Sequence, residues 1–233
     1  MSGENKNTLL GAAVFLACSY AYGSLPFVRS LGLWRGVELR KAGSGTVGGS
    51  NLWQQAGPTA GAVGWFLDAS KGALPPVVGR WLGLSKAVRA LGATAGVAGQ
   101  CWPVFSGFDG GRGVSPILGA GATLVPRELA FILPPMVAGC SLRVLSLVED
   151  SESRRDGGWA RLRGGRSQAV PLSVGLGILG IPLLSSLRGR PSEAVLATAA
   201  NAALLFFRRA TAGEREQRLI LIYRLLYDRD TAR

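Results

Sequence analysis

The chain has 233 residues, of which 48% are hydrophobic and 17% charged, and its mean hydropathy is +0.26. This is too apolar for an ordinary soluble domain of this length, so the composition indicates a membrane protein. The net charge of +12 also suits a nucleic-acid-binding protein, but the basic residues lie between apolar runs and not on one solvated face among aromatics. That placement is typical of contact with anionic lipid headgroups, so we predict membrane lipids and no nucleic acid as partners.

Histidine is absent from the chain, and the three cysteines Cys18, Cys101 and Cys140 lie inside or at the edge of apolar segments. The sequence therefore predicts no metal site, no disulfide framework and no cofactor. It also excludes every mechanism in which an imidazole acts as the general base. Any chemistry must use other groups.

Seven apolar stretches follow one another along the chain. They are Thr8–Leu33, Pro58–Gly79, Ala90–Phe105, Val114–Val125, Leu129–Val148, Ala169–Leu187 and Glu193–Phe207. Glycine and proline shorten or break several of them, so five or six crossings with a re-entrant piece are the alternative. The pattern predicts an all-α, polytopic membrane bundle of about seven transmembrane helices over residues 1–207, followed by an amphipathic tail over residues 208–233.

Lysine and arginine are unevenly shared between alternate loops of this arrangement. With the N-terminus outside, sixteen of them fall on the cytoplasmic side and seven on the outer side. The positive-inside rule therefore predicts an outside N-terminus and a cytoplasmic C-terminus. This topology places two glycine-rich loops, Gly43–Gly49 and Gly107–Gly113, on the same cytoplasmic face, where both can contact one ligand.

The first of these loops lies inside the segment Arg40–Asn51, which begins with two cations and contains four small polar side chains; we call this whole segment the first loop. Consecutive glycines let backbone N–H groups point into one concavity, and hydroxyl and amide groups add donors, so the loop suits a phosphate. A flexible connector that binds nothing is the alternative. The candidate residues are Arg40, Lys41, Ser44, Gly45, Thr46, Gly48 and Asn51.

Asp68 and Lys71 lie in the middle of the second apolar stretch. They are three residues apart and so share one helix face, where they can neutralise each other. Charges at bilayer depth are costly and mark a functional site by default. A purely structural ion pair that holds helices together is the alternative.

A third segment leads from an apolar helix end through Pro103 into the second glycine-rich loop. Gln100 lies near its start, and Arg112 lies among the glycines near its end. The guanidinium of Arg112 has the planar donor geometry that phosphate oxygens accept. Considered alone, this segment is equally well explained as a tight turn.

In order and spacing, the three segments resemble the bacterial acyl-phosphate:glycerol-3-phosphate acyltransferase family of the PlsY type, over roughly the first 120 residues. The family pattern is S-G-N-x-G-x-x-N, then D-x-x-K-G, then G-H-x-x-P-V-F-x-G-F-x-G-G-K-G. The chain reads S-G-T-V-G-G-S-N from Ser44, D-A-S-K-G from Asp68 and G-Q-C-W-P-V-F-S-G-F-D-G-G-R-G from Gly99. We therefore interpret the chain as a divergent member of that family.

The resemblance implies a multi-pass protein of the bacterial plasma membrane with a pocket open to the cytoplasm. It implies acyl phosphate and glycerol 3-phosphate as substrates and lysophosphatidic acid as product. Acyl phosphate is already an activated mixed anhydride, so the enzyme's tasks are to hold two phosphates, exclude water and align the hydroxyl. By position, the implied catalytic residues are Ser44, Lys71, Gln100 and Arg112, with Asp68 in support and Gly45, Gly48, Gly110, Gly111 and Gly113 among the phosphate-binding residues.

The chain departs from the family pattern at several polar positions. Thr46 replaces an asparagine, Gln100 replaces the motif histidine and Arg112 replaces the loop lysine. A family arginine after the first motif corresponds to Gln54, and a C-terminal asparagine falls near Ala212. Each lost contact to phosphate costs on the order of 1.5–3 kcal/mol.

These departures leave other functions open. The main alternative is a catalytically degenerate family member that serves as a structural or regulatory membrane subunit. An unrelated carrier or lipid-binding bundle is a further alternative. The tail contains an amphipathic segment, Leu219–Tyr227, that can lie on the membrane or dock on a membrane protein partner.

Overall fold

The structure is a computed structural model that describes residues 3–138 and 169–211. Its elements are α1 Gly3–Gly23, α2 Phe27–Trp34, α3 Gly49–Ala56, α4 Pro58–Trp81, α5 Lys86–Cys101, a 3₁₀ turn Val104–Ser106, α6 Val114–Leu124, α7 with described residues 126–138, α8 Ala169–Leu187 and α9 Ser192–Thr211. Within these ranges the chain forms helices and no strand, which confirms the all-α prediction. The end of the predicted span Leu129–Val148, Cys140, Ala212 and the amphipathic segment of the tail lie outside the described residues.

The first apolar stretch is not the single helix that the sequence predicts. α1 ends at Gly23 and α2 begins at Phe27. Pro26 explains the break, because proline disfavours the α conformation of the residue before it. The helix breaks beside Leu25, whose carbonyl oxygen accepts a hydrogen bond in the candidate site.

Within the described residues, the other predicted stretches correspond to helices with small differences at their ends. The stretch Ala90–Phe105 ends early, at Cys101, because Pro103 again turns the chain out of the helix. α9 extends past the predicted boundary at residue 207 and is described as far as Thr211. The predicted stretches Val114–Val125 and Ala169–Leu187 agree with α6 and α8 to within one residue.

Charged side chains lie inside the bundle while large apolar side chains face outward. On α4, Asp68 and Lys71 are 2% and 1% exposed, whereas Phe66 is 67% exposed. Leu10, Phe131 and Leu187 are also exposed. Exposed apolar side chains of this size are unfavourable in water and favourable in the hydrocarbon core of a bilayer.

One helical stretch among the described residues, Leu9–Trp34, is long and apolar enough to cross a membrane by length and composition, with a mean hydropathy of 1.4. Two shorter apolar helical stretches are Val114–Leu124 and Ser173–Leu187.

The larger apolar core lies between the second half of the bundle and α5. It includes Val97 of α5, Ile117 of α6, Ile178 of α8 and Leu205 of α9. A smaller cluster formed by Val28, Leu39, Leu52 and Ala60 joins α2, α3 and α4. The candidate site lies on α4 and α5, where the two halves of the chain meet.

Glycines allow the helices around the site to approach closely. A Cβ at Gly72 of α4 would overlap the carbonyl of Pro116 in α6, and a Cβ at Gly119 would overlap the carbonyl of Ala69. A Cβ at Gly96 of α5 would overlap the carbonyl of Lys71 itself. Small residues at helix crossings are a common packing device in membranes. Here they place α4 against both α5 and α6.

A buried carboxylate connects α7 to the turn between α8 and α9, at the far end of α6 from the second glycine-rich loop. Both oxygens of Glu128 accept hydrogen bonds of 2.9 Å from Arg190, and Arg188 lies 3.8 Å away. Glu128 is 1% exposed and immediately precedes the predicted span that begins at Leu129. The hydrogen bonds from Arg190 hold the pKa of Glu128 below its ordinary value.

We expect Glu128→Gln to lower the melting temperature at neutral pH, because an amide cannot accept both bonds of the guanidinium fork. A depressed pKa makes the carboxylate's contribution fully present above its unfolded pKa and lost as the pH falls through the folded value. The melting temperature of the unmodified protein should therefore drop more steeply on acidification than that of the variant. If the melting temperatures of both proteins fell by the same amount between neutral and acidic pH, this role of Glu128 would be contradicted.

Candidate active site

The ammonium group of Lys71 lies at the centre of the candidate site. Its Nζ is 2.9 Å from Oδ1 of Asp68, and it donates a 2.6 Å hydrogen bond to the carbonyl of Leu25 and another to the side-chain oxygen of Gln100. It also lies 5.0 Å from the ring centroid of Phe27. The predicted pairing of Asp68 with Lys71 on one helix face is confirmed. The helix break at Pro26 supplies the third oxygen.

Gln100 connects this ion pair to the second glycine-rich loop. Its Nε2 donates to Oδ2 of Asp68 at 2.9 Å, and its Oε1 accepts from Lys71. Its backbone carbonyl accepts a hydrogen bond of 3.1 Å from the N–H of Gly111. A neutral amide can make both side-chain bonds at once, because it carries a donor and an acceptor. Gln100 can therefore position charged groups, although it cannot transfer a proton.

The first glycine-rich loop is held in one shape by the side chain of Asn51, which is 1% exposed. Its Nδ2 donates to the carbonyls of Leu39, Ala42 and Thr46 at 3.0–3.1 Å. Its Oδ1 accepts from the N–H of Ser44 at 3.2 Å. A buried amide bound to four backbone groups argues against the flexible connector. The bonds of Asn51 are thus made to the loop itself.

The remaining candidate residues of the first loop lie around this amide. The hydroxyls of Ser44 and Thr46 are 2.7 Å apart, and both side chains are half-buried. Gly45 has a φ of +66°, a conformation that a side chain would strain. Gly48 precedes α3, and Lys41 is exposed.

The second glycine-rich loop packs against the end of α5 and against the first loop. A Cβ at Gly110 would overlap the carbonyl of Gln100, and a Cβ at Gly111 would press on the carbonyl of Val47. Gly113 has a φ of +79° and directly precedes α6. Arg112 is half-buried in this loop. The glycines are therefore required by close approach as well as by backbone conformation.

The two loops meet through Arg40. Its Nη2 donates a 2.7 Å hydrogen bond to the carbonyl of Asp109 and lies 3.8 Å from the carboxylate of the same residue. This contact confirms that both glycine-rich loops lie on one face of the bundle.

A narrow cleft opens between these segments. Six of the candidate residues line it, namely Arg40, Asp68, Lys71, Gln100, Gly110 and Gly111. The other candidates, Lys41, Ser44, Gly45, Thr46, Gly48, Asn51, Arg112 and Gly113, belong to the two loops but do not line this cleft. The cleft therefore combines a buried cation, an exposed cation and a glycine-rich backbone, which are the groups that bind phosphate.

Several cleft residues were missed in the sequence. Arg29 lines the cleft and forms a 3.3 Å ion pair with Glu38. Asp109 lines it beside Arg40, and Arg208 of α9 binds Asp109 from behind at 2.8 Å. Two signals in the sequence point to these residues. Arg29 is an arginine inside an apolar stretch, and Asp109 is an acidic residue inside a glycine-rich loop.

Comparisons with known proteins agree with this geometry. The profile of the family described as "Glycerol-3-phosphate acyltransferase" matches residues 13–149, which include all three motif segments. A glycerol-3-phosphate acyltransferase of Synechococcus sp. (strain CC9902) is 30% identical over 209 residues, which cover 89% of this chain and 92% of that protein. The chain belongs to the glycerol-3-phosphate acyltransferase family.

Two further comparisons cover a shorter region of sequence and a solved structure. Glycerol-3-phosphate acyltransferase 4 of Dehalococcoides mccartyi (strain CBDB1) is 36% identical over 114 residues, so the chain spans about half of its length. A crystal structure of PlsY (YgiH), described as an integral membrane glycerol 3-phosphate acyltransferase in its glycerol 3-phosphate form, superposes with a TM-score of 0.68. It is 25% identical and covers 91% of this chain and 92% of its own. Family membership supports a membrane location and favours the acyltransferase over the degenerate subunit.

Proposed function

We propose that this chain transfers an acyl group from acyl phosphate to the 1-hydroxyl of glycerol 3-phosphate. The products are lysophosphatidic acid and inorganic phosphate. The observation that carries the proposal is the cleft in which Lys71, Gln100 and Arg40 meet the second glycine-rich loop. Cations that meet a glycine-rich backbone in one cleft suit two substrates that each carry a phosphate.

The reaction needs positioning more than it needs a reactive side chain. The hydroxyl oxygen of the acceptor attacks the acyl carbonyl, the bond between that carbonyl carbon and the bridging oxygen of the phosphate breaks, and the hydroxyl proton leaves with the released phosphate. Because the donor is a mixed anhydride, no covalent protein intermediate is required. The site lowers the barrier by holding both phosphates close and by offsetting the charge that develops on the carbonyl oxygen.

Each candidate residue has a role in this proposal. Lys71 and Gln100 place charge and hydrogen bonds in the cleft, whereas Arg112 adds a cation to the second glycine-rich loop and Ser44 a hydroxyl to the first loop. Asp68 supports Lys71 by fixing its ammonium group. The phosphate ligands are the backbone and cations of the two loops, whereas Asn51 shapes the first loop.

The topology is part of the same proposal. We place the protein in the bacterial plasma membrane as a multi-pass bundle of about seven helices, with the N-terminus outside and both glycine-rich loops facing the cytoplasm. The uneven distribution of lysine and arginine supports this orientation. The tail after residue 211 remains a candidate for membrane contact or for docking a membrane protein partner.

The decisive experiment is an assay of the purified full chain in lipid nanodiscs with acyl phosphate and glycerol 3-phosphate. Lysophosphatidic acid and released phosphate are measured together, and we expect both in equal amounts. Phosphate release without lysophosphatidic acid would show that the acceptor is wrong. No turnover in a folded sample would refute the acyltransferase proposal.

We expect Arg112→Ala to reduce the rate of lysophosphatidic acid formation by about tenfold to hundredfold, because it removes a permanent cation from the second glycine-rich loop. Arg112→Lys, which restores the residue of the family motif, should keep most of the activity. Arg80→Ala at the end of α4 is the matched control and should match the unmodified protein. Equal rates for Arg112→Ala and the control would remove Arg112 from the site.

A further inference from the structure

Helix α9 contributes an arginine to the second glycine-rich loop. Arg208 is 8% exposed and lies in the last turn of the helix. Its Nη2 donates to Oδ1 of Asp109 and to the carbonyl of Gly110, each at 2.8 Å. Its Nε donates to the carbonyl of Gly111 at 3.4 Å. One guanidinium therefore binds three consecutive residues of the loop.

These contacts set the direction of the loop's peptide groups. In a trans peptide the C=O and the following N–H point to opposite sides. Since the carbonyls of Gly110 and Gly111 point to Arg208, the amides of Gly111 and Arg112 point away from it. The first of these amides does so in the structure, where it donates to the carbonyl of Gln100 at 3.1 Å.

The third carbonyl of the same run is bound by a second arginine. Arg40 of the first loop donates a hydrogen bond of 2.7 Å to the carbonyl of Asp109. Two arginines thus donate hydrogen bonds to three successive carbonyl oxygens in a loop that lines the cleft. An anion in that cleft would be repelled by unpaired carbonyl oxygens, and these contacts remove that repulsion.

The side chain of Arg208 is suited to this task because its planar guanidinium presents several donors in a fixed geometry. A buried guanidinium needs acceptors for its protons, and the carboxylate of Asp109 provides the opposite charge. The bond between them connects residues 99 positions apart. It restrains a stretch of backbone that lies between helices and so lacks the regular bonds of a helix.

We propose that Arg208 is a positioning residue for substrate phosphate. Through Asp109 and the carbonyl oxygens of Gly110 and Gly111 it holds the second glycine-rich loop in its anion-binding shape. Arg208 does not line the cleft, so it acts through the loop and does not touch the substrate. The inference rests on the proposed function, because it takes the loop as a phosphate-binding element.

The test compares Arg208→Gln, Arg208→Lys and Asp109→Asn in full-length protein in nanodiscs of phosphatidylethanolamine and phosphatidylglycerol. Arg208→Gln should raise the KM for glycerol 3-phosphate by about tenfold while kcat changes less. Arg208→Lys should recover only part of this loss, because an ammonium group lacks the planar fork that serves several acceptors at once. Arg80→Gln, at the end of α4, should leave both constants unchanged.

Asp109→Asn keeps the proposal testable should Arg208→Gln fail to accumulate. It leaves the carbonyl contacts of Arg208 in place, so it should raise KM in the same direction by a smaller factor. The double variant should lose less than the two single losses combined, because both changes break the bond between Arg208 and Asp109. Additive effects of the two substitutions would overturn the proposal.

A binding readout separates this inference from the proposed function. Glycerol 3-phosphate should raise the melting temperature of the unmodified protein, and this rise should shrink in Arg208→Gln and persist in Arg80→Gln. That pattern supports the positioning role even in a protein that makes no lysophosphatidic acid. A lower melting temperature in Arg208→Gln with an unchanged KM and an unchanged ligand-induced rise would show a merely structural arginine, and the inference would be wrong.

Discussion

Lys71→Ala should lower the rate of lysophosphatidic acid formation by about a hundredfold or more. The ammonium group is the only cation among the described residues that lies both in the cleft and almost completely inside the bundle, at 1% exposure. Electrostatic stabilisation is strongest where water is excluded, and removing one such donor from an active site typically costs about a hundredfold to a thousandfold. The measurement is the initial rate of the purified variant in nanodiscs, with Lys86→Ala at the exposed start of α5 as control.

Loss of folding is the competing explanation for such a result. Removing Lys71 alone leaves the carboxylate of Asp68 buried and unpaired, which typically costs about 3–5 kcal/mol. A double variant, Lys71→Met with Asp68→Asn, removes both charges and should regain much of the melting temperature. Its activity should stay low, because the cation is still missing. A double variant with normal activity would show that the pair is a structural ion pair.

The sequence could predict those parts of the site that depend on local spacing. Asp68 and Lys71 are one helical turn apart, so their pairing followed from helix geometry alone. The shared face of the two glycine-rich loops followed from an even number of apolar stretches between them, and Arg40 now connects the loops directly. Both inferences need only the period of a helix and the order of the segments.

Other parts of the site depend on tertiary contacts and on side-chain direction. The carbonyl of Leu25 reaches Lys71 only because a proline breaks the first apolar stretch, at a place where the sequence indicates one continuous helix. Arg208 reaches the second glycine-rich loop because α9 lies beside α5 and α6. No local pattern contains these contacts.

Asn51 shows the same limit at a single residue. Its residue type suits a side chain that binds phosphate, and it keeps the asparagine of the family motif. In the structure its amide instead binds four backbone groups of its own loop and is 1% exposed. Residue type and spacing cannot distinguish a side chain that binds a ligand from one that shapes the loop around it.

Gln100→Leu should be the second most damaging change, because the side chain connects both members of the ion pair. Leucine has a similar volume but loses the bond from Nε2 to Asp68 and the bond that Oε1 accepts from Lys71. Each hydrogen bond to a charged group is worth about 1.5–3 kcal/mol, so we expect about a hundredfold loss of kcat/KM. Lys86→Leu at the exposed start of α5 is the control. A kcat/KM near that of the control would show that the function of Lys71 does not depend on this amide.

Gln100→His restores the residue of the family motif and separates positioning from proton transfer. A neutral imidazole keeps one donor and one acceptor, so activity should persist near neutral pH. Protonation turns the acceptor into a second donor beside the ammonium of Lys71, so activity should fall as the pH drops through about 6.5, the ordinary imidazole value. The unmodified chain has no histidine, so the difference between the two pH–rate profiles cancels the titration of the substrates. A large gain in kcat at neutral pH would mean instead that proton transfer limits this enzyme and that glutamine is an impaired substitute.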